Sequence, residues 1–151
     1  MIRHVAAGFF RRTDAERRDQ ELAWNRSDQA FFAAGACHIL AWTFLETYPD
    51  AGFHLVDLRK VGEKDAFHVV ASNGTDAFDH AGWTSLDELV RMSEEFEGVP
   101  IETLPVTEDS LHSYCQSHWC RPPEGYWSDP IPRAQAYLKQ FPAAGSTAVL
   151  R

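Results

Sequence analysis

Near the middle of the chain two short runs of β-forming residues, Phe67-His68-Val69-Val70 and Thr75 to Asp79, flank Asn73-Gly74. Asn-Gly is the strongest short-range hairpin signal, because a type I′ turn needs positive φ at both central residues and these two types tolerate it. An antiparallel hairpin is therefore expected, and a two-residue loop sets its register. Ser72 comes opposite Thr75 and, counted outward, His68 comes opposite Asp79. Directly opposed side chains share a face, with Cβ atoms about 4.5–5.5 Å apart, so an imidazole N–H there reaches a carboxylate.

The segments around the hairpin read as helices and further strands. Ser27 or Asp28 is placed to cap a short helix that Gly35 interrupts, and Cys37 to Tyr48 reads as a largely apolar helix stopped by Pro49-Asp50-Ala51-Gly52. Phe53 to Leu58 alternates as a strand, Thr84 or Ser85 opens a helix that Gly98 closes, and Val99 to Val106, with its two prolines, reads as an edge strand. Thr107 precedes a helix over Glu108 to about His118, and a last helix begins near Pro132. Residues 1–26 form a charged segment with a solvated helix over Thr13 to Trp24, and residues 143–151 are expected to fray. Helices, then antiparallel strands, then helices give an α+β fold in a single domain over residues 1–151.

Composition narrows the partners. A net charge of -8 repels a phosphate backbone, so nucleic acid is not expected. No apolar run approaches the roughly 18 residues a membrane helix needs, so no membrane partner is expected either. The apolar stretch Val5 to Phe10 is too short, and too soon followed by Arg11-Arg12, for a secretory signal. Cys37, Cys115 and Cys120 are odd in number and do not make a disulfide framework, which points to a reducing compartment, the cytoplasm.

Cys37 is the candidate nucleophile, because Gly35-Ala36 precedes it and a long apolar helix follows it. Unpaired N–H groups and the helix dipole at such a position stabilise a thiolate, and a nearby imidazolium stabilises it further. The backbone N–H of Cys37 is also a candidate oxyanion donor. His38, its neighbour on the helix, is expected to point about 100° away.

A cysteine heading a helix (Gly35-Ala36-Cys37-His38-Ile39-Leu40-Ala41), a histidine opening a strand (Phe67-His68-Val69-Val70) and an acid ending the next (Ala77-Phe78-Asp79) resemble the papain-like cysteine hydrolase and acyltransferase superfamily. That superfamily includes NlpC/P60 peptidases, transglutaminase-like proteins and arylamine N-acetyltransferases. The resemblance spans Gln29 to Trp83. The aspartate and serine that flank the NlpC/P60 cysteine are Ala36 and His38 here. It implies a cysteine-bearing helix packed on a small antiparallel sheet with flanking helices, and thiol-dependent hydrolysis or acyl transfer on an amide, ester or thioester without a cofactor. Cys37 carries over as nucleophile, His68 as general base and acid, and Asp79 as the orienting residue. The substrate is then a peptide, a protein or a small acyl compound.

Gln29 or Asn25 is a candidate oxyanion side chain, and Trp83, Tyr126 and Trp127 lie in expected loops, Trp83 and Trp127 as candidate pocket walls. His112, Cys115, His118 and Cys120 are ligand types packed closely in sequence, but a helix does not bring all of them to one face, so no metal is expected. The rival readings are a non-catalytic, immunity-type binding protein of papain-like fold, whose acidic surface suits a basic protein partner, and a zinc-stabilised interaction domain.

Overall fold

The structure, a computed structural model, describes residues 5–145. The other residues at both ends, including 146–151 of the segment expected to fray, lie outside the described residues. Among the described residues the protein is α+β, with a five-stranded antiparallel sheet in the order β4-β3-β2-β1-β5 and helices around it. The strands are β1 His54–Lys60, β2 His68–Ser72, β3 Asp76–Asp79, β4 Gly82–Ser85 and β5 Ile101–Pro105. β5 lies at the sheet edge, where a proline's missing N–H costs no ladder bond. β4 was not expected from the sequence. It is too short to show a period, and Gly82 takes φ +86° to turn the chain back onto β3.

One face of the sheet presents Leu55, Val69, Ala71 and Phe78 to the helix α4, Cys37–Thr47, whose Ile39, Leu40, Ala41 and Phe44 are buried against them. Full burial of the Leu, Ile, Val and Phe side chains among them contributes about 1.5–3 kcal/mol each. The opposite face packs Val56, Leu58, Val70 and Ala77 with Leu89 of α5, Leu86–Glu97. This two-residue alternation is what the strand period dictates. Ser85 caps α5, and Gly98 ends it in the left-handed conformation. Two further helices, α6 (Leu111–His118) and α7 (Pro130–Leu138), follow the sheet. Ser110 caps α6, so that helix starts later than Thr107 suggested.

The helix expected over Thr13 to Trp24 is two, α1 Asp14–Arg18 and α2 Gln20–Trp24. Asp19 breaks it: its backbone is extended at φ -123° and its carboxylate accepts from the N–H groups of Glu21 and Leu22, capping α2. A short acidic side chain competing for backbone donors is the usual cause of such a break. α3, Asp28–Ala33, is capped by Ser27 and leads through Gly35 into α4. Among the described residues no helix is long and apolar enough to cross a membrane.

The hairpin forms with a different register from that expected. Ser72 pairs with Ala77 and Ala71 with Phe78, leaving Asn73 to Thr75 as the loop and Asp76, the first residue of β3, paired with Ser85 of β4. Gly74 has φ +95°, while Asn73 is not among the residues with positive φ, so the loop is not type I′. The Asn73 side chain instead accepts from the N–H groups of Thr75 (2.9 Å) and Asp76 (2.7 Å), and Ser72 Oγ donates to the Asp76 carbonyl (2.8 Å). An Asx-type loop of this kind spends the asparagine on capping rather than on a left-handed turn. The partner of every residue moves by two positions, which preserves faces. His68 and Asp79 therefore sit diagonally, still on one face.

Candidate active site

His68 is the first residue of β2 and Asp79 the last of β3, so both stand at the hairpin end away from the turn, close to the N-terminus of α4. Both are 3% exposed, and His68 Nε2 donates to Asp79 Oδ2 at 3.0 Å. The second carboxylate oxygen accepts from the Ala81 N–H at 2.9 Å. His80 supports the same carboxylate: its Nδ1 is 3.3 Å from Oδ2, and its Nε2 donates to the Val5 carbonyl at 2.6 Å. Burial alone would raise the Asp79 pKa. The charge of His80 and hydrogen bonds from His68 and His80 outweigh burial and hold the carboxyl well below its usual range.

With Nε2 committed to Asp79, the buried Nδ1 of His68 has no hydrogen-bond partner of good geometry among the described residues and is the nitrogen left for a thiol. Cys37 supplies that thiol from the first turn of α4. Its N-cap is Ala36, no side chain caps the helix, and no acid lies in the first turn, so the positive end of the helix dipole at Cys37 is left uncompensated. Burial pushes the Cys37 thiol up, but hydrogen bonds and charge from His38 and His68 bring it down to about 5. Reciprocally, burial would lower the His68 pKa, while Asp79 and Cys37 raise it to about 10. Both shifts favour the thiolate–imidazolium form of the pair at neutral pH.

His38 does not point away. It lines the same cavity as Cys37, near enough to lower the thiol's pKa, and its Nε2 donates to the Arg121 carbonyl at 2.7 Å. Burial opposes its protonation, but Cys115, Cys37 and that carbonyl raise its pKa to about 9. The thiol thus lies between two imidazoles. Sequence reasoning missed the second, because helix periodicity gives the direction of Cβ and not the reach of a ring at an uncapped first turn.

Cys37, His38 and His68 open onto a cavity of about 600 Å³, walled also by Arg12, Phe67, Cys120 and Arg121. Trp119 stands at its edge, 93% exposed and in the left-handed conformation at φ 57° where α6 ends. Strained, exposed aromatics of this kind cluster at ligand sites. Tyr126 lies behind the nucleophile, donating its hydroxyl to the Gly35 carbonyl at 2.5 Å.

Four other candidates lie elsewhere. Asn25 ends α2 and Gln29 is in α3, and neither lines the cavity. Trp83 is packed with Phe44, Phe53 and Phe78 at ring distances of 5.6, 5.6 and 5.2 Å, its indole N–H donating to the Pro142 carbonyl at 2.8 Å. It plugs the core. Trp127 is 56% exposed and off the cavity.

The four sequence-adjacent ligand types also part company. His118 stacks on Tyr114 (4.1 Å) and meets Glu108 (3.4 Å), His112 meets Gln116 (3.4 Å), and Cys115 Sγ donates to the Arg121 carbonyl (3.6 Å). Among the described residues the ligand-type group close enough to share an ion is His68, Asp79 and His80, of which His68 hydrogen-bonds to Asp79 and His80 Nδ1 stands 3.3 Å from the same oxygen.

No family model, curated protein or solved structure matches this chain.

Proposed function

We propose that the protein is a thiol-dependent hydrolase or acyltransferase of the papain-like kind, acting on an amide, ester or thioester in the cytoplasm. The observation that carries this reading is the line of side chains from Cys37 through His68 to the buried Asp79, headed by an uncapped helix N-terminus. A free thiol with a low pKa suits a reducing compartment.

The Cys37 thiolate attacks the carbonyl carbon, and the electron pair of the C=O bond moves to oxygen, where the free N–H of Cys37 at the head of α4 stabilises it. As the intermediate collapses, the bond to the leaving group breaks and His68 gives it the Nδ1 proton, leaving a thioester on Cys37 and a neutral imidazole. Water or an amine then loses a proton to Nδ1 and attacks the thioester, and the thiolate leaves again. Asp79 takes no proton. It holds Nε2–H, so Nδ1 is the basic nitrogen when His68 is neutral.

The test is acyl-enzyme trapping. After brief mixing with p-nitrophenyl acetate at pH 6, intact-mass spectrometry should show one acetyl group on Cys37 and none in Cys37→Ala or His68→Ala. Acetylation spread over surface lysines, with Cys37 unmodified, would sink the proposal.

A further inference from the structure

In a chain of net charge -8, the cavity before Cys37 is walled by arginines. Arg12 is half-buried, and its guanidinium lies against Gly35, where an added Cβ would come within 3.2 Å of Cζ and Nε, two residues before the nucleophile. Other partly covered arginines are neutralised: Arg26 by Glu16 (3.4 Å), Arg59 by Glu102 (2.8 Å) and Arg133 by Asp28 (2.7 Å). Among the described residues, no carboxylate pairs with Arg12. Glu16, whose carboxyl feels its charge, is spent on Arg26.

The neighbouring charge is positive. The Arg121 guanidinium is faced by uncharged groups, the Gln20 side-chain amide, which in the orientation that satisfies both groups accepts at 2.7 Å, and the Tyr126 ring at 5.5 Å. Burial first, and then Arg121, lower the Arg12 pKa. Two partly desolvated guanidiniums without a counterion are costly unless an anion completes the site. A second cavity of about 180 Å³, lined partly by Arg11 and Arg17, joins the first at Arg12, Gly35 and Phe67. The carboxylate on the main cavity wall is Asp65, which is solvent-exposed.

We propose that the substrate carries a negatively charged group, a carboxylate or a phosphate, that docks on Arg12 and Arg121 with the scissile carbonyl over Cys37. The proposal rests on the thiol-nucleophile reading above. A guanidinium fork matches a planar carboxylate or a phosphate in two-point contact, so the arginines fix orientation as well as charge. They repel lysine- or arginine-rich substrates, whatever the charge of the rest of the surface.

Iodoacetate and iodoacetamide test it, because both form the same S–C bond and expel iodide but only one is an anion. The α4 N-terminus and the imidazoliums favour iodoacetate in any case, so the arginine share is read from variants. The iodoacetate-to-iodoacetamide rate ratio at Cys37 should fall by about tenfold in Arg12→Gln, the size of one charge-assisted hydrogen bond. It should fall similarly in Arg121→Gln and partly recover in Arg12→Lys, with each variant's own iodoacetamide rate as the reference that cancels any change in the thiol itself. On the wild-type chain, succinate or inorganic phosphate should slow iodoacetate labelling saturably, and whichever acts at lower concentration identifies the group. Rapid iodoacetamide labelling with an unchanged ratio in both Gln variants, or no protection by either anion, overturns the substrate class and leaves the nucleophile standing. Labelling of Cys37 by neither reagent overturns both.

Discussion

The Nε2 of His38 donates to the carbonyl oxygen of Arg121 at 2.7 Å, latching the residue beside the nucleophile to the segment that leaves α6. Cys115 Sγ donates to the same oxygen at 3.6 Å. The latch orients a second imidazole toward Cys37, and its charge adds to that of His68 in holding the thiolate.

Replacing that imidazole should be visible in the thiol's titration. In His38→Gln an amide N–H can still reach Arg121, but the positive charge is gone. The midpoint of Cys37 alkylation with pH should rise from about 5 by about one unit. The plateau rate should stay within a few-fold, because His68 and Asp79 are untouched. Iodoacetamide kinetics across pH 4 to 9 give both quantities, and an unmoved midpoint would leave His38 a purely structural latch.

The wild-type profile follows from the directions of the two shifts. Cys37 is an acid whose pKa is lowered to about 5, so its thiolate, and with it the alkylation rate, rises as pH increases through that value. His68 is raised to about 10, so the imidazolium persists and the rate stays flat until it loses its proton there. An unperturbed cysteine would instead rise around pH 8.5. Cys120, pushed up to about 12 by burial and by the charges of Cys37 and Cys115, should remain unlabelled over the same range. Mass spectrometry after brief labelling at pH 6 should find the label on Cys37, and comparable labelling of Cys115 or Cys120 contradicts the assignment.

Asp79→Asn separates catalysis from packing. The amide oxygen can still accept from Ala81, but an amide N–H facing His68 favours the tautomer protonated at Nδ1, the wrong one for accepting a proton from water. Acyl-enzyme turnover should drop by about 10³–10⁴-fold. Because the carboxylate is buried among two histidines, the loss of its charged bonds should also cost about 1–3 kcal/mol. Urea melts and single-turnover rates on one preparation check both. Loss of stability with turnover intact would make Asp79 a structural ion partner only.

The helix start at Cys37, the hairpin and the shared face of His68 and Asp79 were legible because each rests on local chemistry: glycine before an apolar helix, Asn-Gly, and the two-residue strand period. The register was not, since Asn73 can either enter a left-handed turn or cap a wider loop, and only the contacts of Ser72 and Asp76 decide. The face survived because the error was even. His80, Arg12 and Arg121 were invisible for another reason. Arg12 and Arg121 meet the site across long sequence separations, at Gly35 and His38, and His80, though next to Asp79 in sequence, is aimed by a distant bond to the Val5 carbonyl; no local pattern encodes such contacts. Trp83 could be named in sequence only as a candidate wall, because an aromatic in an expected loop looks the same there whether it lines a cleft or, as in β4, packs on a core.

Gly35 is where the backbone bends to present Cys37, and its substitution tests whether that bend is required. Its φ of +105° is disfavoured for any residue with a Cβ, and a Cβ there would meet Arg12 Cζ and Nε at 3.2 Å. The Arg12 side chain can shift, so the steric part is relieved, but the backbone strain stays, at about 1–3 kcal/mol. Gly35→Ala should therefore lower Tm by about 2–4 °C per kcal/mol lost. Relief of the strain would rotate the Gly35 peptide, weakening the hydrogen bond its carbonyl receives from Tyr126 and turning the head of α4. Cys37 would then lie out of line with His68, and its alkylation at pH 6 should slow by at least tenfold even well below Tm, where the chain is folded. Tyr126→Phe, which removes the same bond without adding a Cβ, should slow alkylation less and leave the Arg12 contact in place. If Gly35→Ala lowers Tm but keeps the wild-type alkylation rate, the glycine serves folding alone, and the orientation of Cys37 is set by the packing of α4 on the sheet.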